Sequence, residues 1–121
     1  MMKQFVLGNE NLKVFSATVQ ELAEKDKNVF VVTSDSRGSG RLVPFGEAFP
    51  DQIIEVGIAE QNLVGVAAGL ASTGKTVFAV SPACFLTARA LEQIKNDVAY
   101  SNNPVNIIGI SAGVSYGALG S

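Results

Sequence analysis

The chain has 121 residues, 47% of them hydrophobic and 17% charged, and nine Lys and Arg stand against eleven Asp and Glu for a net charge of −2. That balance fits a compact globule rather than a disordered tail, and the basic residues are too scattered to neutralise a nucleic acid backbone. The absence of histidine excludes Ser-His-Asp, Cys-His and His-containing zinc sites, and the single cysteine, Cys84, excludes an internal disulfide.

In chain order, Leu12, Phe15, Val19, Leu22 and Ala23 recur at spacings of three and four, which predicts an amphipathic helix from Glu10 to Lys25. Asn28 to Ser34 is β-branched and almost wholly apolar, the pattern of a strand buried on both faces. Asp35 to Phe49 carries three Gly, one Pro and both charge signs and is expected to be a loop. A short strand follows over Asp51–Val56, then a helix over Ala59–Ala71, a strand over Thr76–Val80 and a helix over Ala83–Tyr100. Asn102-Asn103-Pro104 ends that helix, Val105–Ile110 forms a fourth strand, and Gly109, Gly113, Gly117 and Gly120 make the remainder loop-like. Four apolar strands separated by helices predict a doubly wound, mostly parallel α/β sheet with helices on both faces. No internal repeat or linker divides it, so residues 1–121 are expected to form a single domain.

Several features bear on location and partners. Met1-Met2-Lys3-Gln4 lacks the apolar core of a signal peptide, and the longest uncharged run, Gln61–Gly74, is too short to span a bilayer. A lone cysteine suits a reducing compartment, so the expected location is cytoplasmic, with neither membrane nor nucleic acid as a partner.

Parallel sheets of this kind bind ligands at the carboxyl ends of their strands, which directs attention to the loops after Ser34, Val56, Val80 and Ile110. Glu60 lies on that edge, where an extended apolar run turns into an apolar, small-residue helix. Two readings are open for it: a first-turn acid stabilised by the helix dipole, or a working carboxyl held against something other than water. Phe85, at the next strand-to-helix junction, reads as a core residue or as the wall of a ring-binding pocket. Asp35, at the end of the first strand, reads as a cap of the turn that follows it.

Gly69-Leu70-Ala71-Ser72-Thr73-Gly74-Lys75-Thr76 matches the phosphate-binding pattern GxxxxGK[ST] letter for letter. That chemistry needs a strand before the loop and a helix after it, and here a helix precedes and a strand follows. The bland reading, a helix stop and turn, is preferred. Gly65 and Gly69 form a GxxxG whose missing bulk implies a close neighbour, either the sheet or the same helix of a second subunit, with the sheet favoured.

Gly57-Ile58-Ala59-Glu60-Gln61-Asn62-Leu63-Val64-Gly65, followed by Ala67-Ala68-Gly69-Leu70-Ala71, resembles the pyrimidine-binding domain of transketolase-type, thiamine diphosphate-dependent enzymes. Phe49-Pro50-Asp51, Ala83-Cys84-Phe85-Leu86, Arg89-Ala90 and Gln93-Ile94 extend the likeness, which runs from about Asn11 to the last residue. The resemblance implies a thiamine diphosphate-binding-like fold. It implies that Glu60 hydrogen-bonds N1′ of the cofactor's aminopyrimidine and drives it to the imino form that takes the thiazolium C2 proton. It implies that Phe85 stacks on the ring, that Ser81 and Pro82 shape the rim of its pocket, and that Asp35 lies near the active-site cleft. The implied reaction moves a two-carbon ketol unit from a ketose to an aldose phosphate. The related glutamate motifs of 1-deoxyxylulose-5-phosphate synthase and of 2-oxoacid dehydrogenase β subunits stand as alternatives, as does a non-catalytic α/β binding module.

Two departures qualify the resemblance. The family holds the cofactor's diphosphate and its Mg or Ca through a separate domain with a Gly-Asp-Gly…Asn signature, which is absent here. The family's Thr-His segment and C-terminal domain are absent as well, so the domain is expected to be incomplete at its C-terminus. The expectation is therefore a split-subunit or truncated half-site, inactive alone. It would be completed by a diphosphate-binding domain or subunit and would form a homodimer through its pyrimidine-binding domains.

Overall fold

In a computed structural model, residues 6–114 are described. The elements are helix α1 (Asn11–Lys25), strand β1 (Val29–Thr33), helix α2 (Val43–Ala48), strand β2 (Ile53–Glu55), helix α3 (Glu60–Ser72) and strand β3 (Thr76–Pro82). Helices α4 (Ala83–Arg89) and α5 (Leu91–Gln93), a π-helical segment (Ile94–Tyr100) and strand β4 (Val105–Ile110) complete them.

All strand pairs are parallel, in the order β2-β1-β3-β4. The chain steps outward from β1 to β2 and returns past β1 to β3, so the direction of winding reverses between β1 and β3. The crevice at the carboxyl ends of those two strands is where such a sheet takes ligands. Alternating side chains feed two cores. Val31, Val80 and Ile110 pack with Val19, Ala23, Leu42 and Phe45 of the α1–α2 layer. Val32, Val77 and Ala79 pack with Leu63, Val64, Ala67 and Leu86 of the α3–α4 layer. Burial on both faces explains the unbroken apolar strands in the sequence.

Three expectations need correction. The Asp35–Phe49 segment is not all loop: α2 forms within it, with Pro44 in its first turn and Phe45 fully buried. Proline's fixed φ suits the start of a helix, so a residue that reads as a breaker marks an initiation. Second, the helix expected over Ala83–Tyr100 is divided. Ala90, at φ −107° and ψ 13°, leaves helical geometry. The chain then closes wider turns, with Ser101 N–H donating to Asn96 O at 3.1 Å. Ala90, Ile94 and Val98 still reach the α3-side core, so apolar spacing alone conceals the division. Third, β2 is shorter than expected because Pro50–Gln52 forms a 3-10 turn. Residues 115–121, including Gly117 and Gly120, lie outside the described part. No helix among the described residues is long and apolar enough to cross a membrane.

Candidate functional site

The turn between β2 and α3 is built by Glu55 and Gly57. Gly57 adopts φ +72°, a conformation that side-chain-bearing residues rarely enter, and so lets the chain reverse into α3. Glu55 Oε1 accepts the Gly57 N–H at 3.0 Å and the Asp35 N–H at 2.6 Å. One carboxylate thus braces the loops leaving β1 and β2. Asp35 is itself left-handed, at φ 52°, a conformation Asp tolerates better than most residues.

This turn delivers Glu60 as the first residue of α3, where the partial positive charge of the helix terminus favours an anion. Its side chain is 1% exposed, beyond the reach of solvent screening. A buried carboxylate needs a partner. Arg89 Nη1 donates to Glu60 Oε2 at 2.7 Å, a short charge-assisted bond, while the arginine side chain remains 47% exposed. The same guanidinium lies over the Phe85 ring, 4.8 Å from its centroid. Arg89 is the only hydrogen-bonding or ion-pair partner of the Glu60 side chain among the described residues.

Helix α4, which carries Phe85 and Arg89, is seated by a close approach to β4. A Cβ at Gly109 would lie 3.0 Å from Ala83 Cβ and 3.3 Å from Ala83 Cα, tighter than ordinary contact. Below the crevice, Ser34 Oγ and Ser81 Oγ share a hydrogen bond of 2.7 Å at the ends of β1 and β3. Thr33 Oγ1 and Ser36 Oγ are 3.0 Å apart beside them.

Of the residues singled out in the sequence, the structure brings Glu60 and Phe85 together, through Arg89. Ser81 is fully buried with its hydroxyl engaged by Ser34, and Pro82, half-buried, ends β3 and immediately precedes α4. No hydrogen bond or ion pair joins Asp35 to Glu60 or Arg89 among the described residues. Arg89 and Glu55 had no assigned part in the sequence reading. The signal for Arg89 was its spacing of four residues from Phe85, which places both on one helix face. No comparable signal marked Glu55.

The phosphate-loop look-alike is a helix end. Thr73, Gly74 and Lys75 give their N–H groups to Leu70 O, Ala71 O and Leu70 O, and Lys75 Nζ donates to Asn28 Oδ1 at 2.7 Å. The donors a phosphate would need are already engaged. The glycines of the GxxxG do not face the sheet, contrary to the favoured reading. A Cβ at Gly65 would find only Asp97 Oδ2, at 3.9 Å, and one at Gly69 would find open space. The sheet contact of α3 is made instead by Leu63, Val64, Ala67 and Ala71.

The family model described as "Transketolase, pyrimidine binding domain" matches residues 10–121. The chain is 56% identical over 108 residues to an apulose-4-phosphate transketolase subunit of Phocaeicola vulgatus, a match covering 89% of this chain and 35% of that protein. It is 43% identical over 108 residues to a putative transketolase C-terminal section of Methanocaldococcus jannaschii, covering 89% of this chain and 34% of that one. A solved structure described as "Split gene transketolase, inactive beta4 tetramer" superposes with a TM-score of 0.76 at 36% identity, covering 84% of this chain and 34% of the other. The chain therefore spans about a third of the length of these relatives.

Proposed function

This chain belongs to the transketolase pyrimidine-binding domain family, and on that premise we propose that it is one half of a thiamine diphosphate site in a transketolase that moves a two-carbon ketol unit from a ketose to an aldose phosphate. The observation that carries the reading is Glu60: a carboxylate 1% exposed, at a helix N-terminus on the binding edge of the sheet, linked through Arg89 to the aromatic face of Phe85. A flat heterocycle with a protonatable edge nitrogen fits that pairing, since one residue offers a dry acceptor and the other a face to stack on.

Thiamine diphosphate, when bound, supplies the electron sink for breaking and making the carbon–carbon bond. In this reading Glu60 holds and shares a proton at the ring's edge nitrogen. Phe85 fixes the plane of the ring, and Pro82 bounds it where β3 passes into α4. Ser81, tied to Ser34, keeps the strand ends beneath it rigid. Glu55 orients Glu60 indirectly through the Gly57 turn. Asp35 stands at the mouth of the same crevice. The described residues contain no group of three or more His, Cys, Asp or Glu able to hold a metal. The diphosphate and its Mg or Ca are assigned to a partner subunit or domain, and the chain alone is assigned no turnover. The working form is a cytoplasmic complex of this chain as a single pyrimidine-binding domain with that partner, paired as a homodimer through the pyrimidine-binding domains.

The test mixes this chain with a diphosphate-binding transketolase subunit, thiamine diphosphate and Mg²⁺, and follows aldose-dependent consumption of a ketose phosphate. Activity that needs both polypeptides and the cofactor supports the reading. Activity only with pyruvate as donor would move the chain to a synthase of the 1-deoxyxylulose type. No cofactor-dependent activity with either donor would leave a non-catalytic binding module.

A further inference from the structure

We propose that Arg89 is a built-in stand-in for the cofactor ring: its guanidinium occupies the place between Glu60 and Phe85 when the ring is absent and must leave for the ring to enter. The inference rests on the reading of Glu60 and Phe85 as the ring's two contacts and adds a gate to it.

Arginine and the ring are chemically alike. A guanidinium is a flat, delocalised group with N–H donors in its plane, suited to stack on an aromatic face and to donate edge-on to a carboxylate. An aminopyrimidine sharing a proton with a carboxylate offers the same two things. Arg89 makes both contacts at once, donating to Glu60 Oε2 at 2.7 Å and lying 4.8 Å from the Phe85 centroid. Ring and guanidinium therefore compete for one acceptor and one face. The arrangement also explains how Glu60 is kept as a buried anion without a ligand, since an unpaired charge there would be strongly disfavoured.

The exit lies beside it. Arg89, Gln61, Leu91, Glu92 and Lys95 line an open cleft of ≈ 550 Å³. Glu92 carries no ion pair among the described residues and lines the same cleft as Arg89, which places an acid where it can receive the displaced cation. The arginine is already 47% exposed, so its head group swings out without unpacking the core. A binding-competent state populated only in part lowers the apparent affinity by that fraction, so the gate should show as weakened cofactor binding.

The test titrates thiamine diphosphate with Mg²⁺ into the chain assembled with its diphosphate-binding partner, comparing wild type with Arg89→Gln, Arg89→Lys and Glu60→Gln. Arg89→Gln should tighten binding by roughly three- to tenfold by removing the competitor. Arg89→Lys, which keeps the charge but loses the flat fork, should fall between and guards against a folding defect in the first variant. In parallel, the chain is labelled with ¹⁵N-arginine, and the Arg89 side-chain N–H signal is assigned among the three arginines by its loss in Arg89→Lys. That signal should exchange slowly with solvent without cofactor and move to fast exchange at saturation. Unchanged or weaker binding in both Arg89 variants, or an Arg89 signal that does not respond to saturation, overturns the gate. Glu60→Gln separates the two ideas: if it binds cofactor as wild type does, the ring-site reading itself fails, whereas weakened binding with unaltered Arg89 variants removes only the gate.

Discussion

A carboxylate with almost no exposure and an arginine half in water form an unequal pair, and the inequality sets what each substitution does. Removing one partner of a fully buried ion pair costs about 3–5 kcal/mol, and the 47% exposure of Arg89 reduces this to about 1–3 kcal/mol for Arg89→Ala. Thermal unfolding of the isolated chain should register that loss, and an unchanged midpoint would show that the pair does not stabilise the fold. Glu55 offers a second case. Its Oε1 serves two backbone donors, at Asp35 and Gly57, so Glu55→Ala should cost about 1–2 kcal/mol and loosen the turn that presents Glu60. The expected reading is a lower unfolding midpoint together with weaker cofactor binding by the assembled enzyme. A midpoint shift with unaltered binding would mean that Glu55 braces the loops without positioning Glu60. Neither contact was legible in the sequence. Glu55 there is one more residue of a short strand, and Glu60 has no cation nearby along the chain until folding brings Arg89, 29 residues away, onto it. What the residues did reveal was the placement of Glu60 and Phe85 at successive strand-to-helix junctions, because apolar runs and helix starts are local signals.

Helix α3 shows how far pattern carries at the scale of an element. Its existence and limits follow from periodicity, yet the partner of its small-residue face does not, because two glycines permit a close approach without specifying to what. With open space around Gly69, Gly69→Ala should stabilise the isolated chain by about 0.5–1 kcal/mol through helix propensity, raising its midpoint by about 2–5 °C. If α3 packs on a second copy through this face, the same substitution should weaken self-association in sedimentation equilibrium. Unaltered association would place the dimer contact elsewhere. Gly109→Ala should act in the opposite sense, since its Cβ would press on Ala83 at the start of α4. Overpacking of this kind costs about 1–3 kcal/mol and should displace the helix carrying Phe85 and Arg89. The look-alike phosphate motif illustrates the converse: a perfect match of letters is emptied of chemistry by element order, and its donors close a helix instead. Helix α2 and the division after Arg89 escaped the sequence for related reasons. Proline starts as well as stops helices, and one residue at Ala90 outside helical geometry leaves apolar spacing nearly intact.

At the scale of the molecule, the strand order places the reversal of winding between β1 and β3, and the Ser34–Ser81 bond ties the two strands at that point. Two cores hold the sheet from both sides, so the crevice above it has a rigid floor, and the half-exposed Arg89 pairs with Glu60 beside it. The parallel α/β architecture was legible because buried strands announce themselves as unbroken apolar runs. The match covers about a third of the length of each of the relatives compared. The decisive measurement is two-carbon transfer by the assembled enzyme carrying Glu60→Gln, with saturating partner, thiamine diphosphate and Mg²⁺, and with folding and assembly verified by circular dichroism and sedimentation. Loss of a positioned proton relay predicts a fall of roughly 10²-fold or more in turnover at intact folding and assembly. Turnover within a few-fold of wild type would contradict the role proposed for Glu60.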